Sequence, residues 1–312
     1  MGKIPSAHVL ISRSCVNDCI FCAVASKREK KQFPSYNDIV RFIKKSHSYG
    51  VSNLIFSGLG EPTLDVHFEQ YLAIANNLGF KTLCLFTNGF KTDIEKAQRW
   101  KQLGLNKVLL SIHGIKTGHD NNVQRANAFE EAINALNVYR DLSYDITVNT
   151  CLTIYNLDEI PQLRQVLSKY PISIHTLSFP EWSGNAIKYS HCLPSYSKIG
   201  ELSFKLIPSN DNRTVFDNIP YCIVGRNIRE MSGIKPALYL DGKEEGTFTS
   251  NQHKVFPGIC YRTSCPYLSI CPGFERNYIR TRGWENLDSI VQQFLATSTV
   301  VEKNIGDRKS VV

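Results

Sequence analysis

The sequence has no long apolar run. Nothing in it approaches the ~18 uncharged apolar residues of a membrane span, and its first residues, Met-Gly-Lys-Ile-Pro, lack the apolar core of a signal peptide. We therefore expect a cytoplasmic protein with no membrane partner. In that reducing compartment, ten cysteines indicate metal or redox use rather than a disulfide framework.

The sequence also lacks a strong charge of one sign. Its 36 basic and 28 acidic residues leave a net charge of +8, which is too small and too scattered to predict a nucleic-acid partner. Internal repeats and low-complexity segments are absent as well. With 312 residues, of which 42% are hydrophobic, the chain can bury a sizeable core, and this composition excludes disorder.

Short apolar runs alternate with segments of helical period through about residue 180. The runs predict six strands, at residues 8–12, 53–57, 82–87, 107–112, 145–152 and 172–179. This alternation predicts an α/β fold with a parallel sheet and right-handed crossovers. Six strands are fewer than the eight of a closed barrel, so both an open partial barrel and a doubly wound sheet fit the periodicity.

The pattern changes after residue 180, where glycine, proline and cysteine become prominent. We place a domain boundary there, which divides the chain into residues 1–188 and residues 189–312. The second part is poor in regular periodicity and carries most of the remaining cysteines.

Three cysteines lie within eight residues directly after the first predicted strand. Cys15, Cys19 and Cys22 have the spacing C-x3-C-x2-C. A zinc knot, a disulfide with a spare thiol and an iron–sulfur cluster with one open iron are the candidates. Structural zinc needs a fourth ligand at suitable spacing. Three thiolates in one tight loop favour a cubane whose fourth iron stays open, although this spacing alone leaves zinc as an alternative.

With Phe21 before its last cysteine, this motif resembles the signature of the radical S-adenosylmethionine (SAM) superfamily. Further motifs follow later strands in the family's order. Residues 56–62, Phe-Ser-Gly-Leu-Gly-Glu-Pro, resemble the G-G-E-P turn, with Leu59 where glycine is common. Residues 87–89 resemble the T-N-G turn, and residues 111–114 resemble the S-x-x-G segment. The resemblance covers about residues 8–185, and it implies that the following residues contact the cofactor: Phe21, Gly58, Gly60, Glu61, Asn88, Ser111, Arg125 and Asn149.

The resemblance implies a partial (β/α)6 TIM-like barrel and two cofactors. Cys15, Cys19 and Cys22 would hold a [4Fe–4S] cluster whose open iron chelates the amino and carboxylate groups of SAM. An electron donor such as flavodoxin or ferredoxin would then drive cleavage of SAM to methionine and a 5′-deoxyadenosyl radical, which abstracts a hydrogen from the substrate. Arg125 would pair with the methionyl carboxylate, and Asn149 would bond the ribose.

A second cysteine group comprises Cys222, Cys260, Cys265 and Cys271. It resembles the small auxiliary-cluster domain, of SPASM or twitch type, of many radical SAM enzymes. It has too few cysteines for the seven-cysteine SPASM pattern, so it would hold one auxiliary [4Fe–4S] cluster. A four-cysteine zinc site is an alternative, and Cys192 could replace Cys222. The two other cysteines, Cys84 and Cys151, lie inside predicted strands and are interpreted as core residues.

The substrate class follows from the resemblance alone. Enzymes with auxiliary clusters commonly modify ribosomal peptides, so a peptide substrate is our first expectation. Only fourteen residues precede Cys15, so we see no separate peptide-recognition domain, and a small molecule of cofactor or natural-product biosynthesis is the alternative. A third hypothesis, from another class, is a non-catalytic zinc or iron–sulfur binding module.

His113, His175 and Glu181 lie near predicted strand ends and are candidate proton donors or acceptors. A structural role is favoured for each of them.

Overall fold

A computed structural model describes most of the first 224 residues and part of the remainder. The described residues are 6–25, 33–206, 213–224, 237–241, 244–248, 254–255, 265, 268, 271–284 and 289. Cys260, one of the predicted auxiliary ligands, lies outside them. No helix within these ranges is both long enough and apolar enough to cross a membrane.

The fold is built on one large open sheet. In spatial order its strands are β7-β6-β5-β4-β3-β2-β1-β8-β9, and all neighbours are parallel except the β8–β9 pair. The strands are β1 (Ser6–Leu10), β2 (Asn53–Ser57), β3 (Thr82–Thr87), β4 (Lys107–Ser111), β5 (Asp145–Cys151), β6 (Ile172–Ser178), β7 (Thr214–Asp217), β8 (Ala237–Asp241) and β9 (Glu244–Phe248). A second, two-stranded sheet joins β10 (Lys254–Val255) to β11 (Phe274–Glu275).

Helices connect most of the parallel strands. They are α1 (Tyr36–Ser48), α2 (Phe68–Leu78), α3 (Ile94–Gln102), α4 (Thr117–Val123), α5 (Ala128–Asp141), α6 (Ile160–Leu167), α7 (Asn185–Lys188), α8 (Tyr196–Leu206), α9 (Tyr221–Val224) and α10 (Arg276–Arg282). Their ends follow local chemistry. Ser35 and Asp38 form a capping box at the start of α1, and Gly79 ends α2 in the left-handed conformation with φ 86°.

The partial-barrel prediction is confirmed, with a larger sheet than the sequence indicated. The six predicted strands match β1–β6 to within two residues at their ends. Two further parallel strands, β7 beside β6 and β8 beside β1, come from beyond residue 188. Each is only four or five residues long, which is too short for a clear periodic signal. The second part of the chain therefore extends the sheet on both sides, and the division at residue 188 remains a prediction.

The two faces of the sheet differ in burial. Alternate residues such as Val9, Phe56 and Val148 are buried under the helices. The residues between them, such as Ile55 and Asn149, face the other side and are only half-buried. We call this second side the inner face. Because all strands from β7 to β8 run parallel, the loops after them meet at one edge of the sheet, where ligand sites of such folds gather.

Candidate active site

Cys15, Cys19 and Cys22 lie on one loop, residues 12–25, which follows β1; we call it the cysteine loop. All three side chains are half-buried, and none of the described cysteines forms a disulfide. The backbone N–H of Cys22 donates to the Cys19 carbonyl at 3.0 Å, which closes a turn around the last two cysteines. Three half-buried thiols thus lie on one loop at the carboxyl edge of the sheet.

The loop after β2 packs directly against the backbone of the cysteine loop. The N–H groups of Gly60 and Glu61 donate to the carbonyls of Ser12 and Ser14, at 3.0 and 2.7 Å. A Cβ atom on Gly60 would lie 2.0 Å from the Ser14 carbonyl oxygen. The resemblance to the G-G-E-P turn implies that Gly60 contacts the cofactor, and a residue without a side chain lets the backbone approach closely. The structure adds a second reason for glycine at position 60. Without a side chain there, the loop after β2 can contact the cysteine loop immediately before Cys15.

The carboxylate of Glu61 joins the loops after β2 and β3. Its oxygens accept hydrogen bonds from the hydroxyls of Thr63 and Thr87, at 2.9 and 2.7 Å, and from the N–H of Asn88 at 2.8 Å. Burial raises the pKa of Glu61 despite these bonds. The side-chain amide of Asn88 in turn lies 3.8 Å from the sulfur of Cys15, as a donor to it. The two turns thus position each other and the first cysteine.

The helix α4 supports the middle of the cysteine loop. The N–H groups of Asp18 and Ile20 donate to carbonyls at the end of α4, at 3.1 and 3.0 Å. Arg125, just after α4, donates to the Asn17 side-chain oxygen at 2.7 Å and binds both oxygens of Glu131, at 2.9 and 3.1 Å. The predicted pairing of Arg125 with the methionyl carboxylate remains a prediction, since the structure gives this guanidinium two protein partners.

The loop after β6 supports the last cysteine, which the sequence analysis did not anticipate. Asn185 donates from its backbone to the Cys22 carbonyl at 2.9 Å and from its side chain to the Cys19 carbonyl at 3.0 Å. The Ser183 hydroxyl donates to the Ala23 carbonyl at 3.1 Å. The Ser-Gly-Asn sequence at residues 183–185 is a turn signal after a predicted strand, and it could have drawn attention to this loop.

Gly184 offers a test of this support. It has φ 57°, and a Cβ atom there would lie 2.5 Å from the Cys22 carbonyl oxygen. Gly184→Ala should therefore displace Cys22 and lower the iron content of anaerobically prepared protein. Gly79→Ala is the matched control, because Gly79 also has positive φ but open space around it. It should cost about 1 kcal/mol of unfolding free energy and leave the iron content unchanged. Equal iron in the two variants would contradict the role of residues 183–185.

Ser111 and Asn149 lie side by side on the inner face. They are paired in register across β4 and β5, and both are half-buried. The Ser111 hydroxyl and the Asn149 side-chain amide have no hydrogen-bond partner among the described residues. Two neighbouring polar groups with unused hydrogen-bonding capacity suit a polar ligand on the inner face, as the resemblance implies for both residues.

His113 lies just past β4 and packs against the cysteine loop. Its ring makes an edge-to-face contact with Phe21, with centroids 4.6 Å apart. Its Nδ1 accepts from the Cys151 N–H at 3.1 Å, and its own backbone N–H donates to Nδ1 of His119 at 2.9 Å. Burial, and then the neighbouring His119, hold the pKa of His113 well below its usual value. Burial also lowers the pKa of His119 to about 4. Both rings are therefore neutral at pH 7.

The buried His119 predicts a loss of stability in mild acid. As the pH falls below 6.5, the unfolded chain binds a proton at this position that the folded chain cannot bind until about pH 4. The unfolding free energy should therefore fall by up to about 1.4 kcal/mol per pH unit across this range. Anaerobic urea unfolding at pH 7, 6 and 5 measures it. His119→Gln should flatten the slope, whereas the exposed His191→Gln should not; equal slopes in both variants would refute the assignment.

His175 and Glu181, the other two candidate proton-transfer residues, lie elsewhere. His175 is on the outer, helix-covered face, where its Nε2 is 2.9 Å from the Thr150 hydroxyl. Glu181 is exposed, and its carboxylate accepts from the Ser183 hydroxyl at 3.2 Å. These positions fit the structural role that the sequence favoured for both.

Three members of the second cysteine group are described. Cys222 lies on α9, and Cys222, Cys265 and Cys271 are each half-buried against the hydrophobic core. The N–H of Gly273 donates to the sulfur of Cys271 at 3.4 Å. Cys192, the alternative ligand, is instead buried, with the Tyr155 hydroxyl 3.4 Å from its sulfur. The choice between Cys222 and Cys192 as the fourth ligand remains a prediction.

Buried aromatic rings connect the loop of Asn185 to the segment after Cys271. Trp182 makes an edge-to-face contact with Tyr278 of α10 at 5.3 Å, and Tyr278 makes another with Tyr196 at 4.6 Å. The Trp182 carbonyl also accepts from the side chain of Asn277 at 2.9 Å. The segment that carries the second cysteine group therefore packs against the residues that support Cys22.

The chemistry of this site fits the two cofactors that the resemblance implies. Half-exposed thiols on one short loop suit an iron–sulfur cluster, and the donor amide near Cys15 is the kind of outer contact that tunes such clusters. The inner face beside them offers unused polar groups at Ser111 and Asn149. No three His, Cys, Asp or Glu side chains of the described residues converge tightly enough to bind a single metal ion.

Comparisons with known proteins identify the family. The chain is 25% identical over 208 residues to mitochondrial GTP 3′,8-cyclase of Arabidopsis thaliana, which covers 65% of this chain and 53% of that enzyme. It is 23% identical over 292 residues to AdoMet-dependent heme synthase of Methanosarcina barkeri, which covers 89% of this chain and 81% of that enzyme. The chain thus spans only about half the length of the Arabidopsis enzyme.

Among solved structures, SuiB of Streptococcus suis bound to its precursor peptide SuiA has a similar fold. The TM-score is 0.55 at 16% identity, over 66% of this chain and 46% of that chain. A family model described as the radical SAM superfamily matches residues 9–167, which is about half of the chain and includes the cysteine loop. This chain is an enzyme of the radical SAM superfamily.

Proposed function

We propose that this enzyme binds a [4Fe–4S] cluster through Cys15, Cys19 and Cys22 and uses it with SAM to abstract a hydrogen atom from a peptide. Cluster binding by these three cysteines is supported chiefly by the hydrogen bonds that hold the cysteine loop in place. The loops after β2 and β6 and the end of helix α4 hold its backbone by hydrogen bonds and leave the three thiols half-exposed. A loop fixed in this way keeps its thiols in place before any ligand binds.

When bound, the cluster and SAM supply a 5′-deoxyadenosyl radical. The residues of this chain would bind and orient the cluster and SAM and shield them from water. Asn88 donates to the sulfur of Cys15, and Ser111 and Asn149 present polar groups to the inner face. The surrounding inner face carries half-buried apolar side chains such as Ile55 and Leu109, which restrict the access of water to a reactive species.

We propose further that Cys222, Cys260, Cys265 and Cys271 bind an auxiliary [4Fe–4S] cluster. Four cysteine ligands leave no open iron, so this cluster would not bind SAM. It would exchange an electron with the substrate radical and stabilise the segment around it, because metal binding and folding are coupled in segments with little regular structure. Its support is the resemblance of the four-cysteine pattern, together with the half-buried thiols of Cys222, Cys265 and Cys271, which a cluster can reach more readily than a fully buried cysteine.

The double variant Cys265→Ala with Cys271→Ala tests the auxiliary site. It should lose about four irons per chain and all conversion of substrate, yet still cleave SAM without substrate. The segment after residue 255 should become sensitive to protease. Cys192→Ala is the matched control, because this cysteine is buried beside Tyr155 and should be dispensable for iron binding. Zinc instead of iron in anaerobically prepared wild-type protein would refute the electron-transfer role.

A peptide substrate is supported by the shared fold with SuiB, whose structure contains a precursor peptide. A small-molecule substrate is the second candidate. Its support is the match to AdoMet-dependent heme synthase, which extends over 89% of this chain and so includes most of the second cysteine group. The third hypothesis, a non-catalytic binding module, has lost its support, because the chain belongs to a superfamily of enzymes.

Deuterium transfer separates the two substrate classes. The enzyme would be incubated anaerobically with SAM, dithionite and an extract of its source organism grown on deuterated medium. A substrate in the extract should give deuterated 5′-deoxyadenosine, measured by mass spectrometry. Protease digestion of the extract should abolish the label if the substrate is a peptide and leave it if the substrate is a small molecule. No 5′-deoxyadenosine at all would overturn the proposed reaction.

A further inference from the structure

The loop that supports Cys22 is itself held by α10, a helix far along the chain. The side chain of Asn277 donates to the Trp182 carbonyl at 2.9 Å, and these two residues are 95 positions apart. Trp182 lies just before Asn185, whose backbone N–H donates to the Cys22 carbonyl at 2.9 Å. One hydrogen bond from α10 therefore fixes the start of the loop whose end supports the last cysteine of the cysteine loop.

Tyr278 and Arg282 strengthen this attachment. The Tyr278 ring meets the Trp182 ring edge to face at 5.3 Å, and the Arg282 guanidinium lies over the Trp182 and Tyr278 rings, 5.5 and 5.4 Å from their centroids. The same guanidinium donates to the carbonyls of Ser190 and Leu193, at 2.8 and 3.0 Å. Both rings are buried, so a shift of α10 would disturb close-packed neighbours around the Trp182 loop.

The segment that contains α10 also carries part of the second cysteine group. Residues 271–284 are described without a break, so Cys271 and Asn277 belong to one continuous segment. Metal binding and folding are coupled in segments with little regular structure, so a metal held by Cys265 and Cys271 would order the residues that follow them. The beginning of this segment thus lies in the second cysteine group, and its end lies against the support of the first.

Two sites that stabilise the same segment must influence each other. A metal at the second cysteine group favours the ordered form of residues 271–284, and this form presents Asn277 to Trp182. Whatever holds the Trp182 loop in place also favours the arrangement that supports Cys22. Coupling of this kind commonly changes an affinity by about 5–150-fold.

We propose that Asn277 positions the cysteine loop through Trp182, so that a metal bound at the second cysteine group strengthens binding of the cluster at the first. This inference rests on the proposed function, because it requires metal at both cysteine groups. Asn277 acts through Trp182 and Asn185, and it is therefore a positioning residue. The second cysteine group then has a role in maintaining the first cluster, in addition to exchanging an electron with the substrate radical.

Loss of the first cluster to the chelator EDTA tests the proposal. Freshly loaded, anaerobic protein is reduced with dithionite, and the change that SAM causes in its electron paramagnetic resonance spectrum is followed over time. Only a cluster with an open iron binds SAM, so this change reports the first cluster alone. Asn277→Leu removes the donor and should speed the loss of the signal about tenfold. Asn277→His restores an N–H donor and should recover most of the wild-type rate.

Asn106→Leu is the matched control for loss of an amide donor. Asn106 donates to the Lys81 carbonyl at 3.0 Å, and it lies just before β4, at the opposite edge of the sheet from the cysteine loop. Its replacement should leave the rate of signal loss unchanged. A faster loss in Asn106→Leu, equal to that in Asn277→Leu, would mean general destabilisation and overturn the role of Asn277.

A combined variant shows whether Asn277 carries the coupling. Cys265→Ala with Cys271→Ala empties the second cysteine group and should also speed the loss about tenfold. Adding Asn277→Leu should bring no further increase, because both changes cut the same connection. Rates that multiply would mean two independent effects and overturn the proposal, as would equal rates in the wild type and the double cysteine variant.

The outcomes also separate this proposal from the proposed function. A wild-type protein whose spectrum does not respond to SAM would overturn both. A normal response in the wild type, together with unchanged rates in every variant, would overturn the coupling alone. Should the double cysteine variant not fold, the comparison of Asn277→Leu with Asn277→His decides, because equal rates in these two variants would overturn the role of the Asn277 donor.

Discussion

Replacement of Cys15, Cys19 and Cys22 together by alanine should abolish SAM cleavage and remove about four irons per chain. The reason is that all three side chains lie on one loop, and a cubane with an open iron depends on each of them. Iron and sulfide analysis, the visible absorption spectrum and 5′-deoxyadenosine formation with dithionite measure the effect. Iron at the second cysteine group should remain, since Cys222, Cys265 and Cys271 lie on other segments.

The control for this variant is Cys84→Ala. Cys84 is buried in β3, and burial raises the pKa of its thiol to about 12, which disfavours the thiolate form. Its loss should leave the iron content and SAM cleavage intact. If the triple variant still formed 5′-deoxyadenosine, the assignment of the cysteine loop would be wrong.

Gly60→Val should remove most of the iron and nearly all SAM binding. A Cβ atom alone would lie 2.0 Å from the Ser14 carbonyl oxygen, and valine adds two methyl groups. The loop after β2 must then separate from the cysteine loop, which breaks the hydrogen bonds from Gly60 and Glu61 to Ser12 and Ser14. If Gly60 only lined the cofactor site, its replacement would weaken SAM binding and leave the iron in place. The contact with Ser14 extends the expected effect to the cluster.

Iron content and equilibrium dialysis with SAM measure this effect. Gly200→Ala in α8 is the control, because a Cβ atom there would meet only the Ile223 carbonyl oxygen at 3.4 Å. It should bind iron and SAM as the wild type does. Full iron in Gly60→Val would show that the contact between these two loops is not needed to hold the cysteines.

The sequence predicted the fold well where local signals are strong. Short apolar runs located β1–β6, because this signal depends on a few neighbouring residues. The short strands β7 and β8 were missed, since their pairing with β6 and β1 depends on contacts far along the chain. Pairing between strands that are distant in the chain has little effect on the local hydrophobic periodicity of the sequence.

The sequence predicted the motifs of the candidate site but not the residues that support the cysteine loop. The spacing of Cys15, Cys19 and Cys22 is a local pattern, and it led directly to the family. Asn185 acts through contacts with Cys19 and Cys22, which are distant in sequence, so no short motif contains it. Asn17 lies inside the C-x3-C spacing, but its partner Arg125 is more than a hundred residues away, so the motif does not predict this contact. Arg125 shows the same limit, because its bonds to Asn17 and Glu131 could not be read from its position after the fourth strand.

The support of the cysteine loop has a consequence for the order of biosynthesis. Residues 15–22 leave the ribosome early, but the carbonyls of Cys19 and Cys22 receive their hydrogen bonds from Asn185. At roughly 5–20 residues per second, Asn185 is synthesised on the order of ten to thirty seconds after Cys22. During that interval the thiols are exposed without their final support. If the proposed cluster binds these cysteines, its delivery should therefore follow translation of the sixth strand, unless a carrier protects the nascent cysteines until then.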